Sequence, residues 1–451
     1  MNLEKVNKMY FLGIGGIGMS ALARYFHQRG VEIHGYDLTS SPLTEALQKE
    51  GMHIHFDDNI GKIPENIDLA IYTPAIPADN KELAFFRNNK ISLLKRAELI
   101  ELLTKNHFTI AIAGTHGKTS ISALTAHLLK SAGKNITALV GGICKNYHSN
   151  LISSKKTDYF LVEADEFDRS FLKLKPNISL VSSMDADHLD IYGNHEELKK
   201  NFRAFVNNTV EGGTLVYNQK LKEFDAYPGN KMSYGLKTSA NFRANKIRIV
   251  DGRFNFNVFY GDILIKDISL QIPGFHYVEN ALAAVAIAFE LGLTADEVKK
   301  GLESFKGVER RFEFHINNSK TVYIDDYAHH PEEIRVTVEA ARKLFPGRKI
   351  CGIFQPHLFS RTRDFAEGFA QSLSQLDEII LLGIYPAREL PIPGITSKVI
   401  FDLIKNPNKV LLGKDELLPY LEKKEIDVLL TLGAGDIGMM PEKIKNLLSR
   451  K

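Results

Sequence analysis

Seven residues at 114–120, GTHGKTS, combine small flexible positions with one lysine and three hydroxyl side chains. Backbone N–H groups in such a turn curl around phosphate oxygens, Lys118 reaches the β- and γ-phosphates, and the Thr119 hydroxyl faces Mg²⁺. An apolar run (HFTIAIA) precedes the turn and a helical pattern follows, so the positive end of a helix dipole adds to the anion site. The match is incomplete, because the full phosphate-loop spacing asks for glycine where this chain has Ile112. A second turn, with Gly13, Gly15 and Gly18 in a GxGxxG pattern, also follows an apolar run, and Asp37 ends the next one. That arrangement presses a diphosphate against a helix N-terminus and brings an acid to a ribose. On its own it specifies a diphosphate nucleotide more firmly than which one, and a turn made only for close packing has the same spelling.

Two acidic segments follow apolar runs. VEADEFDRS supplies Glu163, Asp165, Glu166 and Asp168; SSMDADHLDIYG supplies Asp185, Asp187, His188 and Asp190. Hard oxygen donors with one imidazole suit Mg²⁺ bound to phosphate oxygens. Any single acid here is most simply a solvated surface group, but Glu163 and His188 lie downstream of the phosphate turn and are the metal candidates. Near the C-terminus, YIDDYAHHPEE and FQPHLFSRTRDF carry Asp325, Asp326, Tyr327, His329, His330, His357, Arg361 and Arg363. The adjacent histidines lack a third zinc ligand at suitable spacing. Recognition of a small zwitterion or a phosphate fits better, since arginine pairs with carboxylates in fork geometry; loop residues that cap strands are the plain alternative.

The elements that must hold these residues alternate throughout. KMYFLGI, EIHGYD and DLAIYT read as strands around a helix GMSALARYFHQRG. HFTIAIA, DYFLVEAD and NISLVSSM repeat the pattern, followed by a β-rich stretch (TLVYN, NKIRIV, RFNFNVFY) and the helix in GFHYVENALAAVAIAFELG. KTVYIDD, KICGIF, EIILLGI and DVLLTLG then read as further strands with helices between. Strand–helix alternation gives parallel sheets covered by helices, with ligands beyond the carboxyl ends of the strands. Boundaries fall near 105 and 307, dividing the chain into segments 1–105, 106–307 and 308–451.

A length of 451 residues suits about three domains, and 44% hydrophobic with 25% charged residues is ordinary for a soluble globular protein. A formal charge of +3 argues against a generally basic nucleic-acid binder. Cys144 and Cys351 are the only cysteines, which excludes a disulfide framework and a thiolate metal cluster and fits a reducing cytoplasm. The N-terminus lacks a signal-peptide pattern, and no apolar stretch is long enough for a membrane span.

Taken in order, GIGGIGMSALA, GTHGKTS, VEADEFDRSFL, DADHLDIYG, GVERRFE, DDYAHHPEEI, FQPHLFSRTRDF, YPARELPIPG and LGAGDIG resemble the Mur ligases, from residue 10 to about 440. The central motifs are shared with folylpolyglutamate synthetases, whereas DDYAHHP, FQPH and YPARE…PIPG point to the alanine-adding branch. The resemblance implies an α/β fold in three domains: an N-terminal Rossmann-like domain, a central P-loop ATPase domain with a β-rich insertion, and a C-terminal Rossmann-like domain. It implies an ATP-dependent ligase of peptidoglycan synthesis, one that joins L-alanine to the lactyl carboxylate of UDP-N-acetylmuramate. Such an enzyme works in the cytoplasm with Mg²⁺, as a monomer or weak dimer, without nucleic acid or membrane.

Residue by residue, the resemblance assigns Gly114, Thr115, His116, Gly117, Lys118, Thr119, Ser120, Asn280, Arg310 and Asp325 to ATP. It assigns Thr119, Glu163 and His188 to the metal, and Lys118, Glu163 and His188 to catalysis. The UDP-sugar falls to Gly13, Gly15, Gly16, Gly18, Asp37, Thr73 and Ala75, so that the N-terminal diphosphate is that of UDP rather than NAD. Tyr327, His329, His330, His357 and Arg361 surround the amino acid. Three positions depart from or refine the pattern: Leu358 replaces a usual arginine, Tyr277 replaces a usual asparagine, and Phe202 stands where other branches carry a carbamylated lysine, so no modified lysine is expected. The rivals are a murein tripeptide ligase on the same UDP-sugar and an NAD-dependent dehydrogenase. The second leaves GTHGKTS without a task.

Overall fold

Many of the short apolar runs become strands buried along most of their length, the usual setting of parallel strands. The computed structural model describes residues 3–450 apart from Asp168, His188, Thr238 and Arg388, and only the backbone of Leu189 and Asp190. The first sheet consists of β1 (Lys8–Leu12), β2 (Glu32–Tyr36), β3 (His53–His55), β4 (Leu69–Tyr72) and β5 (Ser92–Lys95). Its order is β3-β2-β1-β4-β5, with every pairing parallel. The connecting helices are α1 (Ile17–His27), α2 (Pro42–Lys49), α3 (Lys81–Asn88) and α4 (Arg96–Thr104).

The chain then enters β6 (Phe108–Ala113), α5 (Lys118–Ser131), β7 (Ile136–Cys144), β8 (Ser149–Ser153), β9 (Tyr159–Glu163) and β10 (Ile178–Val181). After α6 (Leu189–Tyr192) and α7 (His195–Asn207) come β11 (Thr214–Asn218) and β12 (Asn230–Gly235). These strands run in the order β12-β11-β10-β6-β9-β7-β8, parallel except where β8 turns back on β7. The alternating, aromatic-rich stretch read as β-rich forms β13 (Phe242–Val250), β14 (Arg253–Tyr260) and β15 (Ile263–Leu270), followed by α8 (Phe275–Glu290) and α9 (Ala295–Ser304).

The last sheet contains β16 (Glu313–Asn317), β17 (Val322–Asp326), β18 (Ile350–Phe354), β19 (Glu378–Leu382), β20 (Lys409–Leu412) and β21 (Val428–Leu432). Its order is β16-β17-β21-β18-β19-β20, with β16 the antiparallel member. The intervening helices are α10 (Pro331–Leu344), α11 (Phe359–Leu373), α12 (Ser397–Leu403) and α13 (Lys414–Glu422), with α14 (Pro441–Leu448) at the end.

The chain forms two compact units: Met1–Arg243 with Phe259–Leu264 and Ala281–Leu302, and Ala244–Val258 with Ile265–Asn280 and Glu303–Lys451. Within the first unit one apolar core runs from Met9, Phe11 and Leu22 to Phe160, Phe171 and Phe202. Phe202 is fully buried, with its ring edge-on to Phe171 at 5.4 Å. Burying such a ring contributes roughly 1.5–3 kcal/mol, so this position is core. A polar latch joins the same two sheets. Asn150, fully buried on β8, donates to the carbonyl of Ile17 at 2.7 Å and to Ser20 Oγ at 2.8 Å, and accepts from Arg24 Nη1 at 2.5 Å. It therefore fixes α1, the helix that begins at the first glycine turn.

Candidate functional site

The phosphate turn opens at Gly114, whose φ of +135° disfavours any side chain, and a Cβ there would also strike Ser182 and the backbone of Ser183. The loop is thereby pressed on the segment after β10. Thr115 N–H donates to the Ser183 carbonyl at 3.2 Å, and His116 N–H donates to Ser183 Oγ at 2.8 Å. Gly117, at φ +84°, caps α5 and lets the helix begin at Lys118. A lysine in the first turn of a helix is electrostatically misplaced, since the dipole there is positive. Acids compensate for it.

Lys118 Nζ lies 2.8 Å from both carboxylate oxygens of Glu166 and donates to the Gly114 carbonyl at 2.6 Å. Desolvation opposes the Lys118 ammonium, but Glu166, Asp165 and Glu163 outweigh it and hold its pKa above the ordinary lysine value. Thr119 Oγ1 donates to Glu163 Oε2 at 3.2 Å, while Glu163 Oε1 accepts from Gly141 N–H at 2.6 Å. A Cβ on Gly141 would lie 2.5–2.9 Å from that carboxylate, so only glycine lets β7 approach it. Thr119 and Glu163 thus present adjacent hard oxygens beside the phosphate turn, a donor pair that fits Mg²⁺. His188, the other metal candidate from the sequence, lies outside the described residues.

At the first glycine turn, Asp37 Oδ2 accepts from Gly15 N–H at 2.7 Å, so this acid braces the turn itself. Thr73 lies opposite, with its methyl 3.0 Å from where a Gly13 Cβ would stand, and Ala75 N–H donates to Thr73 Oγ1 at 3.4 Å. The structure therefore gathers Gly13, Gly15, Asp37, Thr73 and Ala75, with Gly16 and Gly18 at the start of α1.

In the second unit, Arg310 sits at φ +57°, and its Nε donates to Asp325 Oδ2 at 2.9 Å while Nη2 donates to the Gly433 carbonyl at 2.6 Å. Asp325 is fully buried and also accepts from Thr431 Oγ1 at 2.6 Å. Both Arg310 and Arg311 lie over the Tyr327 ring, at 5.2 and 5.1 Å from its centroid. Tyr327 meets His329 at 5.2 Å, His329 meets His357 at 6.1 Å, and Arg361 Nη1 donates to His357 Nδ1 at 3.5 Å. His330 stands apart: its Nδ1 caps α10 by accepting from Glu332 N–H, and its ring packs on Phe365. Asn280 is partly buried on α8. Leu358 is buried at φ +70°, a backbone conformation that favours glycine, and its N–H donates to the Tyr385 carbonyl at 3.0 Å. Tyr277, the other departure, is buried beside His276, whose imidazole desolvation pushes down to about 4. A cavity of about 710 Å³ lies beyond β18, β19 and β20, lined by Gln355, Tyr385, Thr396, Lys398 and Lys414; Tyr385, which stacks on His357, is its link to this group.

Family models match nearly the whole chain: the Mur ligase family catalytic domain at 8–108, the Mur ligase middle domain at 112–288 and the Mur ligase glutamate ligase domain at 310–446. The chain belongs to the Mur ligase family. As a Mur ligase it is an ATP-dependent ligase with a three-domain α/β architecture. The UDP-N-acetylmuramate–L-alanine ligase of Flavobacterium johnsoniae is 47% identical, with 100% of this chain and 99% of that protein covered. The crystal structure of UDP-N-acetylmuramate–alanine ligase from Thermotoga maritima superposes with a TM-score of 0.83 at 30% identity, over 98% of this chain and 100% of that one. The murein peptide ligase of Psychrobacter arcticus shares the fold at a TM-score of 0.73 and 21% identity, over 98% and 99%.

Within this Mur ligase, sequence reasoning passed over the partners of three charged residues. Glu166 was visible in its acidic segment, but nothing in the spacing marks it as the partner of Lys118. Arg96, the first residue of α4, places Nη1 2.7 Å from where a Gly18 Cβ would stand and donates from Nη2 to Asp165 Oδ2 at 3.0 Å. Desolvation would raise the Asp165 pKa, but Arg96 and Lys118 outweigh it and lower it. Arg311, beside Arg310 in GVERRFE, faces Glu333 and Asp326. Burial pushes the Asp326 carboxyl up to about 6 in spite of that arginine. Long-range pairing leaves no local periodicity, so these pairings were not legible.

Proposed function

We propose that the chain joins L-alanine to the lactyl carboxylate of UDP-N-acetylmuramate at the expense of ATP, in the cytoplasm, as a step of peptidoglycan precursor synthesis. The observation that carries the reading is Arg96, whose guanidinium lies between the glycine turn at Gly18 and the acid Asp165 of the Lys118 cluster. A diphosphate crevice and a triphosphate crevice are joined by one cation within one unit, the arrangement needed to bring a sugar-nucleotide carboxylate to a γ-phosphate.

In this reading the carboxylate oxygen attacks the γ-phosphorus, ADP leaves, and an acyl phosphate forms. The alanine amine then attacks the acyl carbon, phosphate departs, and the amine proton is lost as the amide forms. Lys118 holds the phosphates as charge shifts towards the leaving ADP, and backbone N–H groups from Gly114 to Thr119 cradle the same oxygens. Thr119 and Glu163 would hold Mg²⁺, which would supply neutralisation of the phosphate charge. Arg96 neutralises Asp165, so that anions meet a cation rather than an acid at the junction. Arg310 and Asp325 serve the nucleotide, and Tyr327, His329, His357 and Arg361 the amino acid, with Arg361 matching its carboxylate. We place His330 in a supporting position, as the cap that fixes the His329 loop. The enzyme works as a monomer or weak dimer.

A phosphate-release assay with UDP-N-acetylmuramate fixed and the acceptor varied tests this reading. Release should require both the UDP-sugar and L-alanine. Preference for L-alanyl-γ-D-glutamyl-meso-diaminopimelate over L-alanine would overturn it.

A further inference from the structure

Away from both crevices, the first sheet carries a row of donors that the ligase reaction does not use. β2 and β3 are adjacent parallel strands in which His34 stands opposite His53 in register, so both imidazoles project from the same face. Glu32, two residues before His34 on β2, shares that face by the two-residue period of a strand. The imidazoles stack with centroids 4.7 Å apart and planes 22° from parallel. Glu32 Oε1 lies 2.6 Å from His34 Nε2, and one donor atom from each of Glu32, His34 and His53 falls within 4.8 Å of the others.

We propose that Glu32, His34 and His53 form a binding site for a divalent transition-metal ion of the zinc class. The donor set decides the metal. Two imidazole nitrogens and one carboxylate suit Zn²⁺, whereas Mg²⁺ and Ca²⁺ prefer oxygen alone. Ligands about 2.0–2.2 Å from a tetrahedral zinc lie roughly 3.4 Å from one another, so closure draws together donor atoms that already lie within 4.8 Å. Lys8 Nζ lies 3.4 Å from Glu32 Oε2 and holds the second carboxylate oxygen, leaving Oε1 towards the histidines. Such outer partners orient metal ligands. Glu32 and His53 are exposed, so an ion enters from solvent and a water completes the coordination.

The site has a physical consequence. β3 is a three-residue edge strand paired with β2, and an ion shared by His53 and His34 clamps that edge. Because the ion binds the folded sheet and not the separated strands, it stabilises the fold by mass action.

The test uses the full chain, with the ligase site kept saturated by millimolar Mg²⁺ and a non-hydrolysable ATP analogue. Titration calorimetry with Zn²⁺ should give one further bound equivalent in the wild type, with a rise in Tm that a chelator reverses. His53→Ala and His34→Ala should each weaken that equivalent by roughly 10–100-fold and remove the Tm rise, while Mg²⁺-supported ligation without zinc stays at the wild-type rate, which shows that the variants fold. No further equivalent in the wild type, or the same equivalent retained by both variants, would overturn the proposal.

Discussion

Lys118 and Glu166 are paired, with the ammonium equidistant at 2.8 Å from both carboxylate oxygens. The Glu166 side chain is 1% exposed and that of Lys118 18%, so each charge depends on the other. Removing one partner of a buried pair costs about 3–5 kcal/mol, because the remaining charge is left without compensation. Lys118→Met should therefore lower stability by about 3 kcal/mol and ligation by roughly 10²–10³-fold, the scale of one lost electrostatic donor. The double variant Lys118→Met/Glu166→Gln separates the two effects. It should recover most of the stability and none of the ligation rate. Recovery of both in a phosphate-release assay would show that the lysine is structural only.

Glu163 is tied to Gly141 N–H through one oxygen and faces Thr119 through the other. Glutamine keeps the shape and an acceptor for Gly141 but removes the charge that a hard cation requires. Glu163→Gln should leave the unfolding midpoint within a few degrees of wild type and raise the Mg²⁺ concentration for half-maximal ligation by at least roughly tenfold. An unchanged Mg²⁺ dependence would remove Glu163 from the metal site.

Much of the fold was legible because strands buried on both faces read as continuous apolar runs, and each of those runs became a strand. The two glycine turns were legible for a related reason: positive φ at Gly13, Gly114 and Gly117 forces glycine into the sequence at those points. Pairings across long sequence distances were not. Asp37 matched the ribose position of a dinucleotide fingerprint, yet its carboxylate braces Gly15. His330 looked equivalent to His329, yet it serves as the N-cap of α10. Asn150 carries no motif, although it latches α1 to β8 through three hydrogen bonds; a buried amide is specified by its partners and not by its neighbours in the chain.

Arg310 and Asp325 form the corresponding charged pair of the second unit, at 2.9 Å. Asp325 is fully buried, and Thr431 and Arg310 satisfy its two oxygens. Arg310→Ala should destabilise this unit by about 3–5 kcal/mol through the stranded carboxylate. Arg310→Ala/Asp325→Asn should regain at least half of that loss, because a neutral amide tolerates burial better. Double-mutant analysis by denaturant unfolding checks the coupling. A loss that is unchanged in the double variant would show that Arg310 acts through packing alone.

His127 gives the first unit an acid-sensitive term. Its imidazole is buried on α5, with Nδ1 2.9 Å from Tyr147 Oη and a hydrogen bond to the Gly301 backbone, and burial pushes its pKa from the ordinary 6.5 down to about 4. Between those values the unfolded chain binds a proton that the folded chain refuses, so stability falls as pH drops through this window and is fully present above it. A shift of that size corresponds to about 3 kcal/mol in total. His127→Gln can still donate to the Gly301 carbonyl and accept from Tyr147, but it cannot titrate. Its unfolding free energy should accordingly fall less than that of wild type between pH 7 and pH 4, by up to about 3 kcal/mol. Equal falls in the two proteins would mean that His127 is protonated in the folded state and that its burial does not control the acid limb.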